Sequence, residues 1–144
     1  MPSRTSSGRT LLTAAGCGLL LASITVGGAP ADRMAAGQWE FTMSRSGEAT
    51  SVKQCITPDK ANEMNGDTKT ARAFAEKSAK GRCTIKSYAI QGETVKYSLA
   101  CGDRTIDSVT TFHGDTSEGT LTTTTADGKK DLRTVKARRL GSCP

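Results

Sequence analysis

The sequence predicts an α+β domain, mostly β: a curved, meandering antiparallel sheet of about seven strands, half-open or closed like a barrel, with one helical insertion and two disulfides. Three observations carry this. Period-two alternation of apolar and polar residues recurs in segments separated by turn signals. One stretch between residues 57 and 81 switches to helical spacing. Five cysteines stand at 17, 55, 83, 101 and 143, the first in an apolar N-terminal segment and the others in polar sequence.

The N-terminal segment reads as a secretory leader. Arg4 and Arg9 make its first ten residues positive, an apolar stretch runs from Leu11 to Val26, and Ala29-Pro30-Ala31 supplies a small-x-small cleavage pattern. Those 16 residues include Thr13, Ser23 and Thr25, and they fall short of the ~20 apolar residues that span a bilayer. The expected protein is therefore a signal peptide, 1–31, and a single periplasmic domain, 32–144, that is not an integral membrane protein after cleavage. Ala14-Ala15-Gly16-Cys17 loosely resembles a lipidation box. However, Ala14 stands where leucine is expected and the apolar run continues past Cys17, so Cys17 reads as a discarded leader residue.

Export explains the remaining cysteines, because paired thiols persist as staples in an oxidising compartment. The expected domain of 113 residues buries a modest core. It carries 18 basic and 14 acidic residues. The excess gathers in Lys129 to Arg139, a segment able to attract anionic lipid or lipopolysaccharide through Lys136, Arg138 and Arg139. Nucleic acid is not expected as a partner outside the cytoplasm, and aromatic residues for base stacking are scarce.

In QWEFTMS, Trp39, Phe41 and Met43 share one strand face. A two-residue turn at Ser46-Gly47 sets Phe41 against Val52 and Met43 against Thr50, so Trp39, Phe41 and Val52 form a candidate apolar face. Thr57-Pro58-Asp59 is a capped helix start, and that helix should run to about Met64. After Asn65-Gly66, the residues Ala71, Phe74, Ala75, Ser78 and Ala79 make one helical stripe, with Gly81 placed for a left-handed C-terminal cap. A stripe so narrow packs against a sheet.

From Cys83 onward the signal is β. A three-residue loop at Gln91-Gly92-Glu93 sets Ile90 against Thr94, and the same register brings Cys83 opposite Cys101. By elimination Cys55 pairs with Cys143. Further strands are expected at Thr105 to His113, Gly119 to Ala126 and Lys129 to Arg138. A two-residue turn at Asp127-Gly128 sets Leu121 against Thr134 and Leu132 against Thr123.

Chemistry-bearing motifs are sparse. The single histidine, His113, with Asp115 and Asp107 lacks the spacing of a metal site, and neither a phosphate-cradling glycine loop nor a nucleophile elbow occurs. No catalytic residue, cofactor or metal is expected. A hydrolase would need a cleft holding His113 beside a carboxylate and a hydroxyl.

Taken in order, AGQWEFTMS, CITPDKA, GRCTIKSYAIQGETVKYSLAC and ARRLGSC resemble the bacterial domain-of-unknown-function 3617 family from about Ala36 to Cys143. The resemblance implies an exported domain whose W-E strand, C-x-T-P helix start and closing G-x-C fall on Trp39-Glu40, Cys55-Ile56-Thr57-Pro58 and Gly141-Ser142-Cys143. It implies no activity and no catalytic residue. The function expected is a non-enzymatic binding or accessory protein of the cell envelope. Its concave face, including Trp39, Phe41 and Val52 with Val95, Tyr97 and Leu99, would hold an apolar small molecule or serve as core. The alternatives are an anionic-surface protein using the basic C-terminal strand and a hydrolytic enzyme.

Overall fold

Segments that alternate every second residue can bury one face only, and here they assemble into one seven-stranded antiparallel sheet whose inner face is crossed by helices. The computed structural model describes residues 32–144; the expected leader and Cys17 lie outside the described residues. The elements are β1 (Gly37–Arg45), β2 (Glu48–Ile56), α1 (Pro58–Asn65), α2 (Thr68–Ala79), β3 (Thr84–Gln91), β4 (Thr94–Cys101), β5 (Arg104–Phe112), β6 (Thr116–Thr125) and β7 (Lys130–Gly141). Sheet order is β2-β1-β7-β6-β5-β4-β3. The last strand returns beside the first, while β2 and β3 remain unpaired edges, so the sheet does not close into a barrel.

Both edges are guarded against intermolecular pairing. β2 carries Glu48 and Lys53, and β3 has a bulge at Lys86. Each edge strand is also stapled at one end. Cys55 is joined to Cys143 with a Cα–Cα distance of 5.5 Å, and Cys83 to Cys101 with one of 4.3 Å.

Registers agree with expectation in one hairpin and correct it in two. β1 and β2 pair Phe41 with Val52 and Met43 with Thr50 around the Ser46-Gly47 turn. In β3–β4 the loop is the two residues Gly92-Glu93, so Gln91, not Ile90, faces Thr94. The bulge at Lys86 then absorbs one residue, and Thr84 meets Ala100 as a three-residue loop would have placed it. In β6–β7 Leu121 faces Arg133 and Leu132 faces Thr122. The turn holds three residues, because Gly128 N–H bonds Thr125 C=O at 2.8 Å and Gly128 adopts φ +80° before Thr125 N–H meets Lys129 C=O at 3.0 Å. That is a β-turn closed by a left-handed residue. Asp127 favours it by accepting from the Thr125 hydroxyl and, at 3.4 Å, from Lys129 N–H.

The helical insertion holds two helices. Thr57 caps α1, its Oγ1 accepting from Lys60 N–H at 3.4 Å, with Pro58 at the first position. Asp67 caps α2 by accepting from Thr70 N–H at 2.8 Å, and Gly81 takes φ +79° beyond its end. Together they carry the chain from the β2 edge to the β3 edge. Beneath α1, Met34, Trp39, Ile56, Ala61 and Ala137 form the core, with Ala36, Phe41, Met64 and Phe112 packed against it. Trp39 is fully buried, and its indole N–H donates to Ala35 C=O at 2.9 Å.

Candidate functional site

Beyond that core the inner face of the sheet is not filled. A cavity of about 570 Å³ lies between the sheet and the helices, a size in the range of small-molecule sites. Its walls follow the alternation of each strand: Val95, Tyr97 and Leu99 from β4, Ser108, Thr110 and Phe112 from β5, Val135 from β7 and Phe41 from β1. Phe74, Ala75, Ser78 and Ala79 of α2 roof it. This is the predicted helical stripe apart from Ala71, which is buried. Tyr88 and Tyr97 stack across β3 and β4 with ring centroids 6.3 Å apart. Burial raises the Tyr88 phenol above its ordinary pKa, an effect partly offset by the charge of Arg33.

Two lining residues, Thr110 and Val135, flank a strand position without a side chain. Gly119 of β6 sits between Thr110 and Val135, and a Cβ there would collide with the Val109 carbonyl and lie 2.8 Å from Thr110 Cα. Glycine in a strand interior commonly marks such a close backbone approach.

One end is closed by the segment before β1. Asn65 holds Met34 in both directions, its side-chain oxygen accepting from Met34 N–H and its amide donating to Met34 C=O, each at 2.9 Å. Arg33 is only 5% exposed. One of its terminal nitrogens donates to the carbonyls of Met64 at 2.8 Å and Gly66 at 2.7 Å, while its buried Nε has no partner. Arg33 lines the cavity and makes no ion pair among the described residues. Buried charges are ordinarily paired, so a guanidinium met only by neutral carbonyls, and by none at its Nε, is an unusual lining for an apolar chamber.

The candidate apolar face divides three ways. Trp39 belongs to the core, Phe41 reaches the cavity, and Val52 is 50% exposed. Val52 shares Phe41's face as expected, but it lies on the edge strand beyond the cover of the helices, so it is not part of an enclosed face. Val95, Tyr97 and Leu99 all line the cavity. Sequence reasoning missed Arg33, which lacks any motif, and Ser108 and Thr110, whose hydroxyls disguise an inward face.

The basic strand does not present Lys136, Arg138 and Arg139 as one patch. Neighbouring residues on a strand point to opposite faces. Lys136 and Arg138 lie opposite Thr42 and Glu40 on the outer face, whereas Arg139 lies opposite Trp39. Arg138 is paired with Glu40 at 2.7 Å, and Arg139 Nε donates to Ala36 C=O at 2.7 Å. Farther along, Asp131 engages both Arg45 and Arg133.

His113 stands half-exposed where β5 turns into β6, with Glu93 at 3.9 Å as its acidic neighbour. It borders a smaller outer-face cavity of about 350 Å³ with Glu40, Thr116 and Glu118. Among the described residues no group of three His, Cys, Asp or Glu side chains is close enough to hold a metal ion, and no helix is long and apolar enough to cross a membrane.

Neither the curated proteins nor the solved structures contain a match to this chain. The family model described as a protein of unknown function (DUF3617) matches residues 34–143, from the Met34 plug to the closing Cys143, and the chain belongs to that family.

Proposed function

We propose that this chain is an exported, non-enzymatic binding protein of the cell envelope that carries an apolar small molecule between its sheet and helices. The observation that carries the reading is the cavity of about 570 Å³. A domain of this size has few large apolar residues to spare for packing, yet Phe41, Phe74, Leu99, Phe112 and Val135 surround space instead of filling it. Leaving such a chamber forgoes dispersion contacts and burial on all its walls, a cost that a ligand would recover. Two disulfides fit an oxidising location, and the leader-like N-terminus supports export. The anionic-surface alternative draws little support from a basic strand whose arginines are engaged on two different faces.

The test is fluorescence titration with a neutral apolar dye, N-phenyl-1-naphthylamine. The oxidised exported domain, residues 32–144, should bind it with one-to-one stoichiometry, and Ala75→Phe and Val135→Phe, which add bulk from roof and floor, should each weaken binding at least about tenfold. Binding unaffected by both variants would remove the cavity from the account.

A further inference from the structure

We infer that the ligand is a single-chain amphiphile with an anionic head, its apolar chain in the cavity and its head against Arg33. This rests on the cavity reading above. Arg33 is 5% exposed, lines the cavity and brings a full positive charge to it. Its hydrogen bonds to Met64 and Gly66 use neutral carbonyls, and its Nε is unpartnered. No carboxylate of the described residues pairs with it, and residues 1–31 contain no acid at all. Asp32, the acid next to it in sequence, is exposed and makes no ion pair with this guanidinium among the described residues. A carboxylate entering the cavity would supply the counter-charge, in a low-dielectric setting where a charge-assisted hydrogen bond is strongest.

The other walls favour a chain over a second polar group. From Arg33 at the α1–α2 corner, the lining runs through Phe41, Phe112, Val95, Leu99 and Phe74. No acidic side chain lines the cavity, so an anionic head meets no repulsion there. Arg82, at the other end of α2, is the second cation on the lining; it is exposed and donates to Ser78 C=O at 2.8 Å. A surface arginine of that kind is hydrated and gains little from a partner. Arg33 is the cation whose environment changes most on pairing.

Dodecanoate, dodecanol and dodecylamine share one chain and differ in head charge. Each is titrated at pH 8 against the oxidised exported domain, residues 32–144, carrying bound N-phenyl-1-naphthylamine. Dodecanoate should displace the dye at about tenfold lower concentration than dodecanol, with dodecylamine the weakest. In Arg33→Gln the preference for dodecanoate should vanish while dodecanol is unchanged, and Arg82→Gln should retain it. Equal displacement by dodecanoate and dodecanol in the wild-type chain overturns the anionic head and leaves the apolar cavity standing. Loss of the preference in Arg82→Gln alone overturns the assignment to Arg33. Failure of dye and all three amphiphiles to bind removes the cavity reading itself. If Arg33→Gln does not fold, the wild-type ratio of dodecanoate to dodecanol, with Arg82→Gln, still decides.

Discussion

Gly119 and Asp67 show how single residues hold this structure in place. At Gly119 the backbone of β6 runs so close to β5 that a methyl group would strike the Val109 carbonyl. Gly119→Ala must therefore push β5 and β6 apart under the cavity, and we expect it to lower unfolding free energy by on the order of 2 kcal/mol. Urea denaturation at constant m-value measures this; an unchanged midpoint would mean that the two strands separate without cost. Asp67 acts through charge. Thr70 N–H and the Thr70 side chain bond its carboxylate and lower its pKa below the ordinary value. A carboxyl depressed in the folded state contributes stability that is complete above its unfolded pKa, about 3.9, and is lost as pH falls through the folded value. Asp67→Asn keeps a capping side chain but removes that titration. Its stability should therefore fall less steeply than wild type below about pH 4, and parallel acid limbs for the two proteins would contradict the assignment.

Hairpin registers reveal which elements were legible in the sequence and which were not. Period-two alternation located the strands, Thr57-Pro58 located α1, and the stripe from Ala71 to Ala79 located α2 and the face it turns to the sheet. Alternation is insensitive to a single added residue, however, and loop length alone cannot distinguish a two-residue turn with a distant bulge from a three-residue loop without one. That is why Cys83 and Cys101 were matched by a register that fails nearer the turn. At Asp127-Gly128 the side-chain bonds of Asp127 select the longer turn, a preference that the dipeptide by itself does not reveal. The cavity was half legible: Phe41, Val95, Tyr97 and Leu99 alternate clearly, whereas Arg33 reaches it only through the fold of the segment before β1. The bulge yields a direct test. Because Lys86 is the extra residue, its deletion should restore regular pairing from Ser87 through Thr84 and leave the Cys83–Cys101 bridge intact. Non-reducing peptide mapping of the deletion variant should recover that linked peptide; free thiols at both positions would show that Lys86 is integral to the register.

At the scale of the whole molecule, two disulfides and a two-helix bridge hold an open sheet around space that its own side chains do not fill. The bridges span 88 and 18 residues of sequence. In the chain-entropy model these separations correspond to roughly 4 to 5 and about 3 kcal/mol. With domain stabilities of about 5 to 15 kcal/mol, replacing Cys55 and Cys143 by alanine should cost more than replacing Cys83 and Cys101, and removing both pairs should leave little folded protein at 37 °C. Thermal unfolding of the paired variants measures the order; the reverse order would place the strain or residual structure elsewhere. Ligand occupancy belongs to the same scale, because the cavity is lined from both helices and from every strand but β2. Its most direct test is a methyl NMR titration of the oxidised chain with N-phenyl-1-naphthylamine. Ile85, Val95, Leu99 and Val135 line the cavity, while Val52, Val109, Leu132 and Leu140 are exposed. If the ligand occupies the cavity, the first four methyl-bearing residues shift saturably and the second four do not move; shifts confined to the exposed set, or none at saturating dye, would contradict cavity binding.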